Sequence, residues 1–138
     1  MREQIGAVGA VIAGVTAYFL GGFDVLISVF AAVVVLDTLA GMLKGWNNGD
    51  YESKKFREGL VKKFGYIIGV LLVVQLDMMI GKVTGATTIF RDATITFFTV
   101  NEALSIIENL GEMGVNFPSG FQNAIKSLRD KTDNEDKQ

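Results

Sequence analysis

Asp37, Asp77 and Glu102 each lie inside a long apolar stretch, where a carboxylate has few chemical options. At the centre of a bilayer an ionised acid costs about 2.5 to 3.5 kcal/mol on insertion scales, so each must find water, a counter-charge or a proton. Glu102 has company at helical spacing. Asn101, Ser105, Glu108 and Asn109 complete a polar stripe, while Ile95, Phe98, Leu104, Ile106 and Ile107 cover much of the remaining surface. Such groups either bond to a neighbouring helix or line an aqueous path. They do not form an enzyme centre. The chain has no His and no Cys, so Ser28, Ser53 and Ser105 lack the usual base. Nor does any glycine-rich phosphate loop or metal-ligand spacing occur, and the reading is a non-enzyme with no catalytic residue, cofactor or metal.

The elements that must position these acids are helices of membrane type. Hydrophobic residues make up 49% of the 138 positions, and there is one proline. A membrane helix needs roughly 20 apolar residues, so the chain has room for about four. The first segment runs from Ile5 to Leu20 and, despite Arg2 ahead of it, reads as a retained span rather than a cleaved signal, because a second apolar run follows at once. Gly21-Gly22-Phe23-Asp24 connects it to the second, Val25 to Leu43. After turn residues Asn47-Asn48-Gly49-Asp50, Tyr51 to Lys63 reads as a separate amphipathic helix. Its Lys54, Lys55, Arg57, Lys62 and Lys63 are the charges expected against anionic lipid. The third span is Phe64 to Ile80, Lys82 to Thr88 is a connection, and Ile89 to Leu110 is a fourth helix that either spans or lies in the interface.

Charge distribution sets the orientation. With four spans, Arg2, the 44–63 loop and the C-terminal tail share one side, leaving Lys82 and Arg91 opposite, which makes both termini cytoplasmic. Residues 1–117 form the membrane domain. The remainder, 118–138, reads as a short amphipathic helix over Ser119 to Arg129 and a disordered charged tail from Asp130. The net charge of −2, with basic residues in local clusters not interleaved with aromatics, speaks against a nucleic-acid partner.

Small residues recur where helices could approach closely: Gly6, Ala10 and Gly14 in the first segment, Gly65 and Gly69 in the third. These faces serve packing within a subunit or between subunits. The acids have two outlets as well. Asp37 could pair with Lys44 or line a pore, and Asp77 reads as an interfacial acid. Within a monomer the stripe of the fourth helix would meet an acid-rich core with few cations, whereas in a ring of subunits it would face a shared lumen.

The order Gly22-Phe23-Asp24, Val35-Leu36-Asp37 with Ala40-Gly41, a basic loop with Ser53 and Lys62-Lys63, Arg91-Asp92, and then Asn101-Glu102-Ala103-Leu104-Ser105-Ile106-Ile107-Glu108-Asn109 resembles the bacteriophage holins of the toxin-secretion and phage-lysis type. The resemblance covers about residues 20 to 128, and Asn101 to Asn109 followed by Gly114 and Pro118 is its most specific part. Asp37-Thr38 and Phe97-Phe98-Thr99 depart from the commoner family pattern. The resemblance implies a protein of the host bacterial cytoplasmic membrane that forms a homo-oligomer and opens the membrane to a peptidoglycan hydrolase (endolysin), without implying direct contact with it. Asp37, Asp77 and the Asn101–Asn109 stripe are then the residues expected at the pore or at subunit contacts. A small ion or proton channel or transporter, and a non-pore antiholin or membrane scaffold, are the alternatives.

Overall fold

In the computed structural model, residues 1–49, 53–85 and 88–135 are described, and their regular structure is helical. Asp50 of the expected turn, Tyr51 and Glu52 of the expected basic helix, residues 86 and 87 of the 82–88 connection, and the last three residues of the expected tail lie outside the described residues. The helices are α1 (Arg2–Leu20), α2 (Val25–Asn47), α3 (Ser53–Thr84), α4 (Ile89–Glu112) and α5 (Ser119–Glu135). Three of them, α1 to α3, are long and apolar enough to cross a membrane.

Local chemistry places the ends of the first two helices. Gly21 takes φ 71°, and the Gly22 N–H donates to Ala17 O at 2.8 Å, closing the C-terminus of α1. Asp24 then caps α2, its Oδ1 accepting from Ile27 N–H at 3.0 Å. α4 lacks a side-chain cap of its own at Thr88. Asp77 of α3 supplies one, accepting from Phe90 N–H at 3.2 Å and Arg91 N–H at 2.7 Å. The two carboxylate oxygens thereby satisfy donors that a helix N-terminus otherwise leaves orphaned.

The central helix is α4. It runs parallel to α2, with Arg91 beside Asp24 at one end and Glu112 beside Lys44 at the other. Against α3 it runs antiparallel, Arg91 meeting Asp77 and Glu102 meeting Lys63. Ile27, Phe30, Val70, Val74 and Ile95 form the apolar core, with Tyr66 and Phe98 packed against it. The Phe98 ring stacks on Tyr66 at 4.3 Å between centroids and lies against the glycine at 69, where a Cβ would come within 3.2 Å of it. By contrast, α1 buries none of its residues.

Helix ends differ from the sequence expectation: α2 runs on to Asn47, and α3 runs to Thr84, so Lys82 to Thr84 of the expected connection is helix. The basic helix and the third apolar segment are one continuous helix, α3, because a change from basic to apolar composition does not break backbone hydrogen bonding and no proline intervenes. Glycines 59, 65 and 69 within it each cost only about 1 kcal/mol relative to alanine. At the C-terminus α5 continues to Glu135, past the point at which disorder is expected. Mixed charge alone does not forbid a helix.

Candidate functional site

The continuity of α3 decides the electrostatics of the bundle. Lys63, Tyr66, Val70, Val74 and Asp77 fall at spacings of three and four, so they share one helix face and point the same way. That face meets α4, whose Arg91, Ile95, Phe98, Glu102 and Asn109 lie along a matching stripe. Lys63 therefore points into the bundle, unlike the exposed Lys54, Lys55 and Arg57. The Lys63 side chain is only 12% exposed, and its amine is held between Asp37 Oδ2 at 2.7 Å and Glu102 Oε2 at 2.8 Å, tying α2, α3 and α4 together.

Glu102 is fully buried. Lys62 stands 3.4 Å from its Oε1 as an ion pair, without completing a hydrogen bond to that atom, and lies over the Tyr66 ring at 5.3 Å. Asp37 also accepts from Asn109 Nδ2 at 3.4 Å, while Asn109 Oδ1 accepts from Lys44 at the same distance. Lys44 goes on to pair with Glu112 at 2.8 Å. A chain of alternating charge and amide groups thus runs from Glu102 to the loop end of α2. The acid-rich core with few cations expected from the sequence is corrected: lysines enter from α3 and α2.

A second node closes the opposite end. Arg91, 2% exposed, donates to Leu20 O at 2.7 Å, Gly22 O at 3.2 Å, Asp24 Oδ2 at 2.7 Å and Asp92 Oδ1 at 2.9 Å. One guanidinium fork thereby holds the α1–α2 turn on the start of α4, a geometry suited to arginine and not to lysine. Hydrogen bonding from Arg91, then from the Ile27 N–H, holds the Asp24 carboxyl below the usual carboxylate range.

The residues singled out by sequence separate accordingly. Asp37, Glu102 and Asn109 come together in the cluster. Asp77 is buried and caps α4, in place of the solvated interfacial acid expected. Asn101 and Ser105 are half-buried, and Glu108 is exposed. A Cβ on the glycine at 6, 14 or 65 would meet nothing within 4 Å, so those faces are open, whereas the glycine at 69 is used inside the subunit by Phe98. Ala10 is exposed too, as are Lys54, Lys55 and Arg57. Sequence reasoning missed the role of Lys63. The three-and-four spacing through Lys63 carried that signal but was cut at the change of composition.

A helical protein with apolar exterior helices and its charges paired inside the bundle belongs to the class of membrane proteins. The chain matches the model of the bacteriophage holin family over residues 14–130, and it belongs to that family. It is 34% identical to an uncharacterized protein of Listeria innocua over 133 residues, covering 96% of this chain and 91% of that one. An uncharacterized 14.9 kDa protein of Clostridium perfringens, encoded in the nagH 3′ region, is 33% identical over 115 residues, covering 83% of this chain and 84% of the relative. A protein of Bacillus phage phi105 named "Probable holin" is 27% identical over 117 residues, covering 85% and 83% respectively. No solved structure matches significantly.

Proposed function

We propose that this chain accumulates in the host bacterial cytoplasmic membrane, self-associates and permeabilises it, giving a peptidoglycan hydrolase access to the wall. The observation that carries this reading is the holin-family match across residues 14–130. The geometry supplies a physical route. With Asp37 and Glu102 both answered by Lys63, a subunit presents little charge to lipid and can build up in the bilayer. Asn101, Ser105 and Glu108, outside that cluster, provide the polar groups for subunit contacts or for the wall of a lesion. Asp37, Glu102 and Asn109 join them when the cluster opens, while Asp77 remains a cap.

In this reading α4 crosses the membrane with α2 and α3. Its 24 residues extend about 36 Å, enough for the hydrocarbon core. Glu102 and Asn109 are tolerable there because partners on α2 and α3 answer them. Both termini and the α2–α3 loop are then cytoplasmic, and Lys54, Lys55 and Arg57 face the anionic inner leaflet. Single cysteines at Ser53 and Ser127, in a chain with no native Cys, are expected to react only from the cytoplasmic side. Labelling of Ser127→Cys from outside rejects the fourth span.

Induction in a bacterium tests the activity. Growth is expected to stop abruptly as membrane potential collapses. Sustained growth and potential at high membrane abundance contradict permeabilisation and favour the scaffold or antiholin reading.

A further inference from the structure

The proposed function leaves α5 without a role, yet the surface of this helix is sorted by chemistry. Phe121, Ala124 and Leu128 fall at spacings of three and four and share one face. Phe121 is 48% and Leu128 50% exposed, and Ala124 is exposed as well. The half-buried residues Gln122, Ile125 and Arg129 lie to one side of that face, the side for α4, which is the helix α5 packs against. Asn123, Ser127 and Asp130 occupy the opposite face, and Arg129 and Lys131 border the apolar one on its two edges. From Ser119 to Lys131 the helix carries three cations and one acid. That acid, Asp130, stands 3.6 Å from Arg129 with both side chains exposed, so the pair is weak. Lys126 and Lys131 form no ion pair among the described residues.

We infer that α5 lies along the inner surface of the membrane, its apolar face sunk to the boundary of headgroups and acyl chains and its cations among acidic phospholipid headgroups. This rests on the membrane reading above. Trp46, 80% exposed near the end of α2, suits the headgroup level, and Lys44 beside it pairs with Glu112 at the end of α4. α4 therefore leaves the bilayer at the depth that Trp46 marks. Gly114, at φ 88°, turns the chain there, Val115 N–H donating to Leu110 O at 2.9 Å, and α5 is held against α4 at that level. A helix with Phe and Leu on one face and Lys and Arg around it is the kind that lies in the interfacial plane. The stems of Arg129 and Lys131 cover the edges of the apolar face while their charged heads stay at the phosphates. Asp133, Glu135 and Asp136 all follow Lys131, past the segment that makes this contact. A protein partner fits less well. Three side chains fall far short of the roughly 800 Å² per partner of a stable interface, and lysine is depleted from such contacts.

Single spin-labelled cysteines in the full-length chain, which has no native Cys, test the placement in vesicles of phosphatidylglycerol with phosphatidylcholine and of phosphatidylcholine alone. The readout is the ratio of collisions with oxygen, which enters the bilayer, to collisions with a water-soluble nickel chelate. In the acidic vesicles the ratio at Ala124→Cys is expected to exceed those at Asn123→Cys and Ser127→Cys at least fivefold. That contrast is expected to fall at least twofold in phosphatidylcholine alone, in high salt, and when Arg129→Gln and Lys131→Gln are added, and to vanish with Phe121→Ser. Equal ratios on the two faces, a contrast indifferent to lipid charge and salt, or one that grows as protein is concentrated in the vesicles, the mark of a second copy as partner, overturns the assignment. A label at Val35→Cys, on the exposed side of α2, reads the membrane placement separately. An oxygen-rich Val35 with a water-exposed Ala124 overturns the docking of α5 alone; water exposure at both overturns the membrane reading and the docking with it.

Discussion

Replacing Lys63 by Met, a side chain of similar length without charge, isolates the cost of the buried cluster. Lys63 contacts Asp37 and Glu102 at 2.7 and 2.8 Å, and each unit-charge attraction is about 4 kcal/mol even at 4 Å with an effective dielectric constant of 20. Most of that gross energy is offset by desolvation of the ions. What remains decisive is the uncompensated charge after substitution, which for a broken buried pair costs about 3 to 5 kcal/mol. That corresponds to a loss of roughly a hundredfold to several-thousandfold in the folded-to-unfolded ratio. Detergent-solubilised Lys63→Met, titrated with denaturing detergent and followed by circular dichroism, is expected to unfold at a correspondingly lower concentration. Adding Asp37→Asn and Glu102→Gln removes the stranded charges and is expected to recover most of the loss. A single variant within about 0.5 kcal/mol of the parent, the size of an ordinary surface substitution, refutes the cluster as a structural tie. A triple variant no more stable than the single refutes the electrostatic cause.

Asp77→Ala removes both acceptors at the start of α4 and is expected to cost about 1 to 2 kcal/mol, with faster hydrogen exchange at Phe90 and Arg91 as the local signature. Gly21→Ala meets two penalties, a positive φ and a Cβ 2.9 Å from the Arg91 side chain, and is expected to lower the unfolding temperature where Gly6→Ala, in open space, does not. For Asp24 the folded-state pKa is depressed, so its contribution is present above the unfolded value and is lost as pH falls through the folded one. Unfolding temperatures below about pH 4 are therefore expected to drop more steeply for the parent than for Asp24→Asn. Glu102→Gln keeps the shape of the cluster while removing one acid, and is expected to shift lysis timing without preventing membrane insertion. An unchanged lysis time removes Glu102 from the mechanism.

The helical class, the hairpin turn at Gly21 to Asp24 and the polar stripe of α4 were legible because each depends on local spacing or capping chemistry. The partnering of the acids was not. Asp37 and Lys63 are 26 residues apart, and their meeting depends on α3 continuing unbroken through a change of composition that reads as a boundary. Treating Lys63 as a surface charge followed from that false boundary. Asp77 was misjudged for a related reason: Thr88 takes φ 60° and leaves α4 uncapped, so its donors are satisfied from another helix, which local pattern cannot reveal. The bonds of Arg91 to Leu20 O and Gly22 O exist only once α1 and α4 are brought together, so local pattern does not reveal them either.

Under the proposed function, this chain opens the cytoplasmic membrane to a hydrolase. The most direct measurement is culture turbidity after inducing it together with a peptidoglycan hydrolase that has no export signal. Abrupt clearing at a reproducible time, absent when either protein is expressed alone, is the predicted result. Steady turbidity with both proteins abundant, the hydrolase remaining active in the cytoplasm, contradicts the account.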